Sequence, residues 1–225
     1  MTGRPMERVP EPELMDTPEQ ARAYAEADFE EPHSRFVVEF RSLFPGAVDG
    51  AVLDLGCGPA DITIRFARAF PDMQLLGFDA GPNMLALGRE AVDAADLASR
   101  IQLVHGHLPE DDPPRCPYDT IISNSLLHHL GDPMSLWEAV NRFGTAGTRL
   151  FIMDLRRPDT GEDVQAMVDN YAGDEPEILK EDFGDSLHAA YRTEEIKSQL
   201  ERAGLAGLNI SEPTDRHLIV SGVLR

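Results

Sequence analysis

From Ala51 onward, short apolar runs alternate with amphipathic stretches of helical length, and that alternation leaves few folds open. The strand-sized runs are 51–55, 74–78, 101–105, 120–123 and 149–153, with helical segments near 60–70, 82–97 and 133–143. Parallel strands joined through helices make right-handed crossovers, which puts helices on both faces of the sheet. The expected fold class is therefore α/β: a doubly wound, Rossmann-like three-layer sandwich around a mostly parallel sheet.

The flanks read differently. Residues 1–16 are rich in Pro, Glu and Arg without periodicity and read as a flexible arm. Thr17-Pro18-Glu19-Gln20 places a capping residue before a proline, predicting a helix to about Glu30. Pro32-His33-Ser34 reads as a break, after which Phe36, Val37, Phe40, Leu43 and Phe44 recur at helical spacing until Pro45-Gly46. Residues 17–46 are thus expected to form a helical lid and 47–225 the main domain. Helices over 162–171 and 177–191 form a cap inserted after the fifth strand, about 159–191, and a further helix spans 193–203. The runs 207–210 and 217–223 are close enough to pair as C-terminal antiparallel strands.

Lys and Arg number 20 against 40 Asp and Glu, a net charge of −20 that repels a phosphate backbone and argues against nucleic acid as partner. No run approaches the ~20 apolar residues of a membrane span, and Met1 to Glu13 lacks an apolar leader, so a cytoplasmic location is expected. Cys57 and Cys116 lack paired metal or redox spacing and read as free thiols. His105 and His107 share a strand face with no third ligand in view, so no metal is expected.

The chemistry begins in Val52-Leu53-Asp54-Leu55-Gly56-Cys57-Gly58-Pro59-Ala60, where a strand turns into a helix through two glycines. Such a turn lets a ligand approach the backbone closely. A dinucleotide fingerprint wants a third glycine three positions after the second, and Asp61 stands there. Three more segments follow in order: Gly77-Phe78-Asp79-Ala80-Gly81-Pro82-Asn83-Met84-Leu85, His105-Gly106-His107-Leu108-Pro109-Glu110, and the run from Tyr118 to Pro133 containing Ser123-Asn124-Ser125-Leu126-Leu127-His128-His129.

Taken together these segments resemble the class I S-adenosylmethionine-dependent methyltransferases over most of residues 50–155, and within them the small-molecule enzymes of quinone and secondary metabolism. The resemblance implies S-adenosylmethionine as cofactor, S-adenosylhomocysteine as product and a small-molecule acceptor. It implies that Asp54, Gly56, Cys57 and Gly58 lie against the methionine part of the cofactor. Asp79, followed by Ala80, would receive the ribose hydroxyls, because each hydroxyl can donate to one carboxylate oxygen. Met84 with Leu85 would form the apolar wall at adenine, Leu108 would offer its backbone, and Asn124 closes the fourth segment. His107 stands where the family usually has an acidic residue.

Transfer from a sulfonium is an in-line displacement, so the protein mainly aligns the reactants, and a base is optional. His128 and His129 follow the fourth strand at the rim where open α/β sheets bind ligands; His128 is the candidate base and His129 an acceptor contact. Tyr24 and Asp28, four apart and expected on one helix face, are candidate pocket contacts, and Arg156 after the fifth strand is a candidate grip for an acceptor carboxylate or phosphate. The competing readings are a catalytically silent cofactor-binding scaffold and a nucleotide-dependent oxidoreductase, the latter opposed by Asp61. A monomer or homodimer is expected.

Overall fold

The computed structural model describes residues 6–11, 14, 16–46, 48–114 and 117–225; Cys116 lies outside them. Seven strands form one sheet in the order β3-β2-β1-β4-β5-β7-β6. They are β1 (Gly50–Leu55), β2 (Met73–Asp79), β3 (Ile101–His105), β4 (Thr120–Asn124), β5 (Arg149–Leu155), β6 (Asn209–Ser211) and β7 (His217–Val223). The first five pair in parallel, and β7 pairs antiparallel with both β5 and β6. The expected doubly wound sandwich with a C-terminal antiparallel pair is what forms.

Both faces of the central strands are buried, as parallel strands under crossover helices require. Leu53, Leu55, Ile121, Leu150 and Ile152 pack on one side with Trp137, Leu136, Ile196 and Leu200. These partners come from α5 (Met134–Phe143) and α8 (Thr193–Arg202). The alternate residues Val52, Ile122, Phe151 and Met153 pack on the other side with Phe36, Phe40, Phe66 and Val92. That layer is built from α2 (Glu30–Leu43), α3 (Asp61–Ala69) and α4 (Pro82–Ala94).

The N-terminal region departs from its reading in three ways. First, α1 spans Pro18–Glu26 and α2 already begins at Glu30, so Pro32 lies within the first turn of a helix and does not break one. Proline is tolerated there because a first-turn N–H has no intrahelical acceptor. Second, α2, grouped with α1 as a lid, holds Phe36 and Phe40 fully buried against Phe66 and Phe151, and is part of the core layer. Third, the described part of the arm is laid against the domain: Met6 N–H donates to the Asp159 carbonyl and Val9 N–H to that of His188. Arg8 donates to the carbonyls of Ala189 and His128 and sits 4.3 Å from the centre of the Tyr191 ring.

The insertion after β5 is α6 (Gly161–Tyr171) and α7 (Glu177–Ala189), close to its expected bounds. Thr17 caps α1 by accepting from Gln20 N–H. The Gln20 side chain reaches Asp182 of α7, joining the N-terminal helix to the cap.

Candidate functional site

β1 lies at the centre of the sheet between β2 and β4, so the carboxyl ends of β1 and β4 form the topological switch point, where open α/β sheets bind ligands. The chain leaves β1 through Gly56 at φ +72° and Gly58 at φ +50°, and enters α3 through Ala60 at φ +66°. Glycine is needed at 56 because a Cβ there would come within 2.9 Å of Leu126. Gly56 N–H donates to the Phe78 carbonyl, tying the turn to β2.

Asp79 ends β2 opposite this turn. Its two carboxylate oxygens accept from Gly58 N–H and Gly81 N–H, each at 2.7 Å, which points the group into the space between the turn and α4. Burial raises its pKa, against those two backbone donors. Asp16, from the arm, accepts from Asn83 and Met84 N–H at the start of α4 and lies beside Gly81.

Asp54 is almost fully buried and accepts from Thr63 Oγ1 at 2.6 Å. Burial pushes its carboxyl up to about 7 from 3.8. Between those values the unfolded chain has released a proton that the folded chain keeps, so stability falls as pH rises through that window and levels off above it. Asp54→Asn keeps an acceptor for Thr63 and removes this dependence. Its stability relative to wild type should grow by on the order of 2 kcal/mol from pH 5 to pH 7.5. Thermal denaturation of both proteins at the two pH values checks this, and a constant difference would count against it.

One cavity of about 810 Å³ runs from this turn along the rim, within the range of small-molecule sites. Asp54, Gly56, Cys57, Gly58, Asp79, Ala80, Met84, His107, Leu108 and Asn124 line it, as do Tyr24, Asp28, His128 and His129. Cys57 is a free, buried thiol whose pKa is raised by burial. His105 hydrogen-bonds the Ala80 carbonyl, while His107 is exposed and its N–H donates to Asp111. The cap contributes Leu179, Phe183 and Ser186.

Two placements differ from expectation. Asp28 lies beyond the end of α1 and accepts from Glu30 N–H, so it shares no helix face with Tyr24. The helix stops short of it, and Phe29 turns back onto the Tyr24 ring, 4.7 Å between centres. Arg156 is outside the cavity lining: its guanidinium donates to the Asp215 carbonyl and lies near Glu212, drawn to the β6–β7 turn.

At the far end of the cavity, Ser125, at φ +54°, turns the chain after β4 into a 3₁₀ turn, Leu127–His129, above the end of β5. His128 is buried and its Nδ1 lies 2.5 Å from Asp154, which also accepts from Leu127 and Leu155 N–H. Burial opposes charge on His128, but the Asp154 carboxylate outweighs it and raises its pKa. His129, half-buried beside His128, is held well below the ordinary value by burial and by the neighbouring His128 charge. Glu11 of the arm faces both rings and is pushed up to about 7 by burial, with His128 opposing. Neither Glu11 nor Asp16 had any signal in a segment without periodicity. Asp154 did have one, as an acid at the end of a buried strand.

The chain is similar to several known methyltransferases. Residues 53–150 match the family model of the methyltransferase domain. The demethylmenaquinone methyltransferase of Listeria welshimeri is 33% identical over 109 residues, covering 48% of this chain and 46% of that protein. The chain therefore spans about half the length of the curated relatives it matches. In structure, an S-adenosylmethionine-dependent methyltransferase from Aquifex aeolicus superposes with a TM-score of 0.67 at 16% identity, covering 93% of this chain and 99% of that one. The plantazolicin methyltransferase BpumL, solved with a monoazolic desmethylPZN analogue and S-adenosylhomocysteine, superposes with a TM-score of 0.67 at 13% identity, over 92% and 90%. The fold is the doubly wound fold of these methyltransferases, and the matched segment holds the glycine turn, Asp79 and His128. Among the described residues no helix is long and apolar enough to cross a membrane.

Proposed function

We propose that the chain is an S-adenosylmethionine-dependent methyltransferase acting on a small, largely apolar acceptor. The observation that carries this reading is a cavity lined both by Asp79 and the glycine turn and by His128 and His129. Cofactor and acceptor held along one channel meet in line, which is the main demand of displacement at a sulfonium. S-adenosylmethionine supplies the activated methyl group. Asp79 receives the ribose hydroxyls, the glycine turn with Asp54 holds the methionine part, and Met84 with Leu108 flanks adenine. His107 lacks a carboxylate for the adenine amino group, which leaves backbone groups to serve there.

The acceptor end is walled by Leu179 and Phe183 and by Leu126 beyond the turn, an apolar surface suited to a planar ring. The likeness to demethylmenaquinone methyltransferases supports a quinol or similar hydroxylated aromatic. His128 is the group assigned to the acceptor's proton: Asp154 holds its Nδ1, and its Nε2, on the cavity lining, has Glu11 Oε1 at 3.6 Å. Tyr24 and α1, roofing the cofactor end, act as its lid. We place the enzyme in the cytoplasm, as a monomer or homodimer.

The test is transfer of a labelled methyl group from S-adenosylmethionine to a panel of hydroxylated aromatics and quinols. Label in an acceptor with equimolar S-adenosylhomocysteine is expected. Cofactor binding without turnover across the panel would favour the silent scaffold instead.

A further inference from the structure

Outside the cofactor seat, the arm brings a carboxylate to two histidines that the chain places far from it in sequence. Glu11 Oε1 lies 3.6 Å from His128 Nε2 and 3.2 Å from His129 Nδ1, and one ligating atom from each residue falls within 4.8 Å of the others. We propose that Glu11, His128 and His129 form a mononuclear site for a divalent transition-metal ion such as Zn²⁺ or Co²⁺.

The spacing fits such an ion. Metal bonds of about 2.0–2.1 Å in a tetrahedral arrangement put neighbouring donor atoms roughly 3.3 Å apart. Glu11 Oε1 and His129 Nδ1 are both buried, and although they sit 3.2 Å apart as an ion pair, neither makes a hydrogen bond. Burying such atoms unpaired is costly, and a cation between them would satisfy both. Glu11 is 5% exposed and His128 2%, so these are not casual surface neighbours.

The surroundings orient the donors outward. His128 Nδ1 is bound to Asp154 at 2.5 Å, leaving Nε2 for the ion in the carboxylate–histidine–metal arrangement common at metal sites. Glu11 Oε2 accepts from Ser186, leaving Oε1 for the ion. Arg8, three residues earlier, directs its guanidinium to the carbonyls of Ala189 and His128 and not to Glu11. Two imidazoles and one carboxylate suit a metal of borderline softness better than Ca²⁺ or Mg²⁺. Because His128 and His129 line the cavity, a fourth position opens toward the acceptor end. The binding site itself does not depend on methyl transfer; use of that open position by an acceptor oxygen rests on the function proposed above.

The full chain, stripped with a chelator and dialysed, is titrated with Co²⁺ followed by its visible absorption, and with Zn²⁺ by calorimetry. One equivalent per chain with a tetrahedral Co²⁺ spectrum is expected, and Glu11→Gln and His129→Ala should each weaken binding by about 100-fold or more. S-adenosylhomocysteine titrated into the same samples should bind equally in wild type and Glu11→Gln. Retention of no metal by a wild-type chain that binds S-adenosylhomocysteine would overturn the site while leaving the cofactor assignment standing. An equal loss in His105→Ala would also overturn it, by placing the ion on the other histidine pair.

Discussion

Asp79→Ala is expected to weaken S-adenosylhomocysteine binding by about 10²–10³-fold, the loss that follows from removing two hydrogen bonds to a charged acceptor at roughly 1.5–2 kcal/mol each. The carboxylate also accepts from Gly58 and Gly81 N–H, so its removal frees the glycine turn and the start of α4 as well. Asp79→Asn separates these effects. Its amide oxygen can keep one backbone donor in place while the ribose loses its charged partner, and an intermediate loss of about tenfold is expected. Calorimetry on both variants, with circular dichroism to verify folding, checks the order. Unchanged affinity in a folded Asp79→Ala would remove the ribose role.

The second large effect lies at the other end of the cavity. His128→Ala should lower turnover by about 10²–10⁴-fold while leaving S-adenosylhomocysteine affinity within about twofold. That holds whether Nε2 takes the acceptor's proton directly or holds a cation that acidifies it. Removing the ring also leaves Asp154 buried with only Leu127 and Leu155 N–H as partners, so some loss of stability accompanies the change. Asp154→Asn is the companion variant: His128 keeps its place but loses the carboxylate that raises its pKa. In the metal-free protein, the acid limb of its turnover profile should move to lower pH. A limb that stays in place, or full turnover in His128→Ala, would show that the histidine only supports the loop.

The sandwich was legible because its central strands are buried on both faces, so continuous apolar runs separated by amphipathic helices had one simple solution. The meeting of the glycine turn with Asp79 was legible for a related reason. A glycine turn and an acid one strand later are local features, and the sheet order sets them side by side without any further contact having to be guessed. The arm was not legible. Arg8, Glu11 and Asp16 are held by partners more than sixty residues away, and no periodicity announces a segment that lies extended over a rim. Pro32 misled because the same residue ends a helix in its interior and suits its first turn. Arg156 misled because its position after β5 puts its backbone at the rim, while Asp215 and Glu212 draw its side chain away.

Asp61 has a structural part that its place in the glycine motif did not announce. It stands where a dinucleotide fingerprint has its third glycine, and in the structure it heads α3, its carboxylate 2.6 Å from His33 and 2.8 Å from Arg65. Those partners lower its pKa against the opposing effect of burial, and they tie α2 to α3 beside the glycine turn. A third glycine at that position would break this tie and open room for phosphate oxygens.

Calorimetric titration of the wild-type chain with S-adenosylhomocysteine and, separately, with NAD tests the central claim most directly. Saturable binding of one S-adenosylhomocysteine per chain, with no measurable heat from NAD, is the predicted result. Tight binding of NAD with none of S-adenosylhomocysteine would contradict it.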